Sequence, residues 1–128
     1  EEFPESLDKL LSWIEVEPVS YPLKATCCGG LMMTTAPKVG RKLTGRLLKQ
    51  AGEQGADCVV TCCPLCQMNL EVYQHRTSAE LGTDCSMPVL YFTQVLGWAL
   101  GCTPKALGLR DALTPAQTLL EQTTGVVV

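Results

Sequence analysis

An excess of basic residues is missing: Lys and Arg number 10 against 13 Asp and Glu, for a formal net charge of −3. Nucleic acid and anionic membrane surfaces both select a cationic partner, so neither fits this chain. Long apolar runs are missing as well. The best stretch, Met87 to Leu100, is interrupted by Thr93 and Gln94, and a spanning helix needs about 18 apolar residues in a row. No direct membrane insertion is expected, and the chain reads as soluble. It also lacks an internal repeat, a low-complexity tract, an initiator Met and a basic-then-apolar leader, which suggests a processed chain or a piece of a longer protein. Charge of either sign is sparse at 18% while apolar residues reach 46%. That balance excludes disorder and leaves a small polar surface, part of which is expected to be an interface. A chain of 128 residues predicts one domain, 1–128, able to bury a core without staples.

Cysteine, by contrast, is abundant, with 8 residues. A secreted disulfide scaffold would account for an even count, but such scaffolds are loop-rich, and here long periodic apolar segments point to α/β architecture. The cysteines also cluster, as the adjacent pairs Cys27-Cys28 and Cys62-Cys63 and as Cys-x-x-Cys from Cys63 to Cys66. Neighbouring cysteines rarely bond each other, because the small ring strains the peptide, but they can offer two thiolates to one polynuclear metal centre. Metal binding in a reducing, cytoplasmic compartment is the resulting expectation.

Along the chain, Leu7, Leu10, Leu11 and Ile14 make an i, i+3, i+4, i+7 stripe behind Ser6, which predicts a helix near 5–15. Val19, Tyr21 and Leu23 alternate between Glu17 and Leu23, but Pro18 and Pro22 restrict that segment to a short or edge strand. Pro37 opens a helix that ends near Gly52 or Gly55, with Val39, Leu43, Leu47, Leu48 and Ala51 inward and Lys38, Arg41, Lys42, Arg46 and Lys49 outward. Ala56 to Cys62 reads as a buried strand running into Cys63-Pro64-Leu65-Cys66. A helix over Gln67 to Leu81, a strand over Met87 to Phe92 and a helix from Thr93 to about Leu100 follow. Leu107 to Leu109 reads as a loop, and Thr114-Pro115 caps a last helix through Gln122. The expected fold is a Rossmann-like three-layer α/β domain with a short, mainly parallel sheet flanked by helices. In such sheets functional loops gather at the carboxyl ends of the strands, where both cysteine clusters fall.

Four thiols, Cys27, Cys28, Cys63 and Cys66, are thereby expected to face one point. Gly29 and Gly30 allow a tight backbone beside it, and Pro64 stiffens the second loop. Thiolates without histidine select zinc or iron-sulfur, and the spacing alone does not choose between them. Cys58, within a strand, reads as core packing, and Cys62, before the loop, as core packing or an alternative ligand. Cys85 and Cys102 read as incidental loop thiols, and His75 as a solvated residue. Met32 and Met33 suit either a core gap beneath the loops or an apolar docking face with Leu31 and Pro64.

The segments Cys27-Cys28-Gly29-Gly30, Cys63-Pro64-Leu65-Cys66-Gln67-Met68-Asn69-Leu70 and Pro88-Val89-Leu90-Tyr91-Phe92-Thr93-Gln94-Val95-Leu96-Gly97 closely resemble the C-terminal cysteine-rich (CCG) domain of the heterodisulfide reductase B subunit. The resemblance implies a disulfide-reducing catalytic subunit in which Cys27, Cys28, Cys63 and Cys66 hold a noncubane [4Fe-4S] cluster. It implies as partners an iron-sulfur electron-donor subunit, a flavin subunit of the same complex and a disulfide substrate. The family pattern has a fifth, upstream cysteine, and none precedes Cys27 here. The chain is therefore expected to be a C-terminal piece of a longer subunit, isolated as apo, zinc-bound or partly oxidised protein. The alternatives are an iron-sulfur electron-transfer subunit of an oxidoreductase complex and a structural zinc module.

Overall fold

The computed structural model describes residues 4–116 and Leu119; the helix expected through Gln122 lies outside the described residues. Six helices and two strands follow in order: α1 Ser6–Trp13, α2 Met32–Thr35, α3 Pro37–Glu53, β1 Val59–Thr61, α4 Pro64–Val72, α5 Gln74–Leu81, β2 Val89–Tyr91 and α6 Phe92–Ala99, with a final 3-10 turn at Leu109–Asp111. The strands pair in parallel with Val59 opposite Val89, Val60 opposite Leu90 and Thr61 opposite Tyr91.

Side chains alternate across a strand, and the alternation sorts two cores. Val59 and Val89 pack with Leu47, Leu48 and Ala51 of α3 and Leu70 of α4. Val60 and Leu90 pack with Leu11 of α1 and Val95 of α6. Helices thus cover both faces of a short parallel sheet, the expected α/β arrangement.

Four local expectations are corrected. Glu17 to Leu23 forms no strand: a single bridge at Glu17 gives way to turns over 22–25, because Pro18 and Pro22 each remove a ladder donor within seven residues. β1 is consequently paired on one side only. The expected helix from Gln67 to Leu81 starts earlier, at Pro64, and divides at Tyr73. Across that division the buried Gln74 side chain grips one backbone unit just ahead of β2, accepting from the Met87 amide at 2.9 Å and donating to the Met87 carbonyl at 2.6 Å. The segment Leu31 to Ala36, for which no element was expected, carries the short helix α2.

The fourth correction concerns the inward face of α3. Val39, expected inside, is 48% exposed, and Leu43 is half-buried. The buried face is Gly40, Thr44, Gly45, Leu47, Leu48 and Ala51. Gly45 lets α5 come so close that a Cβ there would lie 2.3 Å from Thr77 Cγ2, and an ion pair of 2.6 Å from Arg41 to Glu80 ties the same two helices. Apolar periodicity does not register glycine as an inward residue, so the packed face lies rotated from the one it indicates.

Candidate metal centre

The Cys-x-x-Cys segment sits at the carboxyl end of β1. Cys63 is the extended residue before α4, and Pro64 takes the first helical position, where its missing N–H is not needed. The Cys63 sulfur accepts from the backbone amides of Cys66 and Leu65 at this helix start. Those bonds, led by the Cys66 amide and joined by the Cys66 thiol, hold the Cys63 thiol below its ordinary range. Cys66, one turn on, behaves oppositely. Burial pushes its thiol well up, and bonding to the sulfurs of Cys28 and Cys63 raises it further.

The Cys27-Cys28 loop does not leave a strand end, since the preceding strand is absent; helices place it instead. Gly29 adopts φ 81°, and a Cβ there would meet the Gly40 carbonyl at 2.8 Å, so only glycine lets the loop lie on α3. Gly30 rests in the same way on Leu65 of α4. Cys28 is buried and Cys27 exposed, with the Gly29 amide donating to the Cys27 sulfur at 3.4 Å.

Two buried residues that sequence reading assigned no role join these loops. The Asn69 amide donates to the Cys28 carbonyl at 2.9 Å and to Thr44 Oγ1 at 3.0 Å, while the Thr44 hydroxyl donates to the same carbonyl at 3.0 Å. A sequence signal existed: Thr44 stands on the apolar face of α3, and Asn69 follows Cys66 by three residues, hence on one helix face. Gln94 makes a second tie. It accepts from the Tyr91 amide at 2.8 Å and from Gln67 at 3.2 Å and donates to the Leu107 carbonyl at 2.8 Å.

All eight cysteines are free thiols. Cys58 lies in the core as expected, its thiol pushed up to about 12 by burial and by the neighbouring Asp57 carboxylate. Cys62, expected in the core or as an alternative ligand, is exposed; the strand ends at Thr61, and the Cys62 carbonyl is engaged by the Tyr91 hydroxyl at 2.9 Å. Cys85, expected as an incidental loop thiol, is buried among Leu48, Met87 and Val89. Its amide is held by Ser78 Oγ at 2.9 Å, which turns the side chain inward. Cys102 and His75 are exposed, as expected. Leu31 and Met32 are 78% and 39% exposed, whereas Met33 packs on Gly40.

An apolar cleft of about 370 Å³ has Leu7 and Leu11 of α1, Tyr21, Val60, Cys28 and Cys66 among its lining residues. Among the described residues no three His, Cys, Asp or Glu side chains form the closed array of a single metal ion. The donor set nevertheless fits a thiolate-held group in kind. Soft sulfurs from two loops, Cys28 and Cys66, lie against one buried cluster, beside glycines that hold the backbone close. Among the described residues, no helix is long and apolar enough to cross a membrane.

The family model of the CCG cysteine-rich domain matches residues 1–71, which include both cysteine loops. The chain is 33% identical over 112 residues to the B subunit of the ferredoxin:CoB-CoM heterodisulfide reductase of Methanosarcina mazei, covering 86% of this chain and 37% of that protein. It is 33% identical over 116 residues to the 8-methylmenaquinol:fumarate reductase membrane anchor subunit of Wolinella succinogenes, covering 91% and 41%. To a protein of Archaeoglobus profundus named as like the heterodisulfide reductase B subunit it is 30% identical over 122 residues, covering 93% and 40%. The chain spans about two fifths of the length of these curated relatives. Two cysteine loops brought together by α3 and α4, and a family match across both, lead to one assignment: the chain belongs to the CCG cysteine-rich domain family.

Proposed function

We propose that this chain is the cluster-holding part of a disulfide-cleaving subunit related to the heterodisulfide reductase B subunit. Cys27, Cys28, Cys63 and Cys66 would hold the noncubane [4Fe-4S] cluster. The observation that carries this reading is that both cysteine loops rest on one core: Cys28 is buried in the cluster against which Cys66 packs, and the Asn69 amide of α4 holds the Cys28 carbonyl at 2.9 Å. When bound, the cluster supplies electrons and Lewis acidity for cleaving a disulfide. The protein's own contribution is positional. The amides at the start of α4 favour a thiolate on Cys63, and the apolar cleft lined in part by Cys28 and Cys66 offers a water-poor approach for a substrate. Leu31, Met32 and Pro64, exposed around the loops, offer apolar contact for an iron-sulfur donor subunit.

The test is anaerobic reconstitution with iron and sulfide, followed by metal and sulfide assay and by disulfide cleavage with reduced viologen. Thiolate holds soft iron far better than a hydroxyl does. Cys63→Ser and Cys66→Ser are therefore expected to lose both cluster and turnover, while Cys102→Ser keeps both. Full turnover in either motif variant would contradict the assignment. A second reading, an electron-transfer module without disulfide chemistry, is favoured by the relative named for fumarate reductase. Cluster content without any disulfide cleavage would select it, and zinc in place of iron would select a structural site.

A further inference from the structure

We propose that Asn69 and Thr44 are positioning residues that set the separation between the Cys27-Cys28 loop and Cys66. The inference rests on the thiolate-site reading above and deepens it. Three backbone segments meet at one atom, the Cys28 carbonyl oxygen, which accepts from Asn69 at 2.9 Å and from Thr44 at 3.0 Å. Both of its lone pairs are then engaged. Asn69 is 1% exposed and Thr44 is fully buried, so water does not compete for either bond.

The proton arrangement is fully determined. The Asn69 amide directs one N–H to the Cys28 carbonyl and the other to Thr44 Oγ1, and Thr44 directs its only O–H to the carbonyl. Reversing the amide would place oxygen against oxygen at the carbonyl, so Oδ1 stays turned away and has no donor among the described residues. A buried acceptor left unsatisfied is costly, and an apolar side chain would not carry that cost. The amide therefore does something that packing does not need. It fixes the backbone of Cys28 to α4 three residues beyond Cys66, and to α3 through Thr44. Since Cys66 packs against the buried cluster that contains Cys28, the ring is a support immediately behind the pair.

The test uses the reduced, metal-free chain and Co(II) as probe, whose thiolate charge-transfer absorption reports sulfur ligation. Asn69→Leu and Thr44→Val are expected to weaken Co(II) binding at least tenfold, as loss of supporting hydrogen bonds behind metal ligands does. Thr44→Ser, which keeps the hydroxyl, should stay within about threefold of the parent. Gln74→Leu, which strips two buried hydrogen bonds at Met87, away from the cysteine loops, is the stability control: it should lower the urea midpoint of the apo chain at least as much as Asn69→Leu while keeping Co(II) affinity within about threefold of the parent, which separates positioning from a merely structural role.

A metal-independent readout accompanies it. In a Cys63→Ser background, diamide takes two electrons and two protons from the Cys28 and Cys66 thiols, forms their disulfide and is itself reduced to the hydrazine. Asn69→Leu should slow that cross-link at least tenfold through lost effective concentration. Unchanged Co(II) affinity in Asn69→Leu, or an unchanged or faster cross-link, overturns the proposal. If the parent binds no Co(II), the thiolate-site reading fails while the cross-link rate still decides the clamp. If Thr44→Val does not fold, Asn69→Leu carries the test alone.

Discussion

At the scale of single residues, the eight thiols separate by environment. Cys58 is 1% exposed and held protonated up to about 12, against about 8.5 in an unfolded chain. Its folded value is raised, so its contribution to stability is complete below the unfolded value and is lost as pH climbs towards 12. A urea midpoint measured between pH 8 and 11 should fall with rising pH, and Cys58→Ala should flatten the slope while lowering the midpoint at pH 7 through the cavity it leaves. Below pH 8, maleimide is expected to label Cys27, Cys62 and Cys102 and to spare Cys58 and Cys85 until the chain unfolds, as mass spectrometry of the peptides would read. Cys85 bears on this directly: placed among Leu48, Met87 and Val89, its replacement by serine should cost about 1–2 kcal/mol by denaturant titration, the penalty for a hydroxyl in an apolar site.

At the scale of elements, α3 packs on α5 through Gly45. Gly45→Ala would gain about 1 kcal/mol of helix propensity, but its Cβ would stand 2.3 Å from Thr77 Cγ2 and 2.5 Å from Leu81 Cδ1. The half-exposed Leu81 tip can swing aside; the buried, branched Thr77 has no such freedom. Overpacking of about 1–3 kcal/mol wins, and thermal melts should show Gly45→Ala less stable than the parent. Gly52→Ala on the same helix meets only Met87 Cε at 3.6 Å and should be neutral to stabilising. The division of α4 from α5 depends similarly on one side chain. Gln74→Leu strips both bonds from the Met87 backbone, just ahead of β2, and should cost about 2 kcal/mol or more in a chemical melt.

For the molecule as a whole, five of the 10 basic residues, Lys38, Arg41, Lys42, Arg46 and Lys49, lie on α3 in a chain of net charge −3. Arg41 pairs with Glu80 and Lys49 with Glu53. Lys38, Lys42 and Arg46 are exposed without an acidic partner among the described residues, four apart along the outer face. Like charges at that spacing disfavour a helix slightly, and the stripe starts beside exposed Leu31 and Met32. An acidic surface is the electrostatic complement of this face, and the donor subunit proposed above would meet it here. Lys42→Glu with Arg46→Glu should weaken its association at least tenfold at low salt, as read by calorimetry, with the difference shrinking as salt rises. Lys105→Glu with Arg110→Glu, the same change of charge away from α3, should have little effect. Equal loss in both pairs would mean that total charge and not this face governs docking.

What the sequence determined by itself was whatever local pattern encodes. Leu7 to Leu11 marked α1, Pro37 marked the start of α3, short β-branched runs marked β1 and β2, and the spacing of Cys27, Cys28, Cys63 and Cys66 carried the family likeness, because period, capping and motif spacing are properties of neighbouring residues. The tertiary structure alone decided that Cys85 is interior and Cys62 is not, and that Asn69 and Thr44 meet at the Cys28 carbonyl. The carbonyls depend on groups far along the chain, that of Cys62 on Tyr91 and that of Cys28 on Thr44 and Asn69. Hydrogen bonds and close packing act between surfaces that only the fold brings within reach, so a pattern read along the chain registers the residue types but not the partners that give them their places.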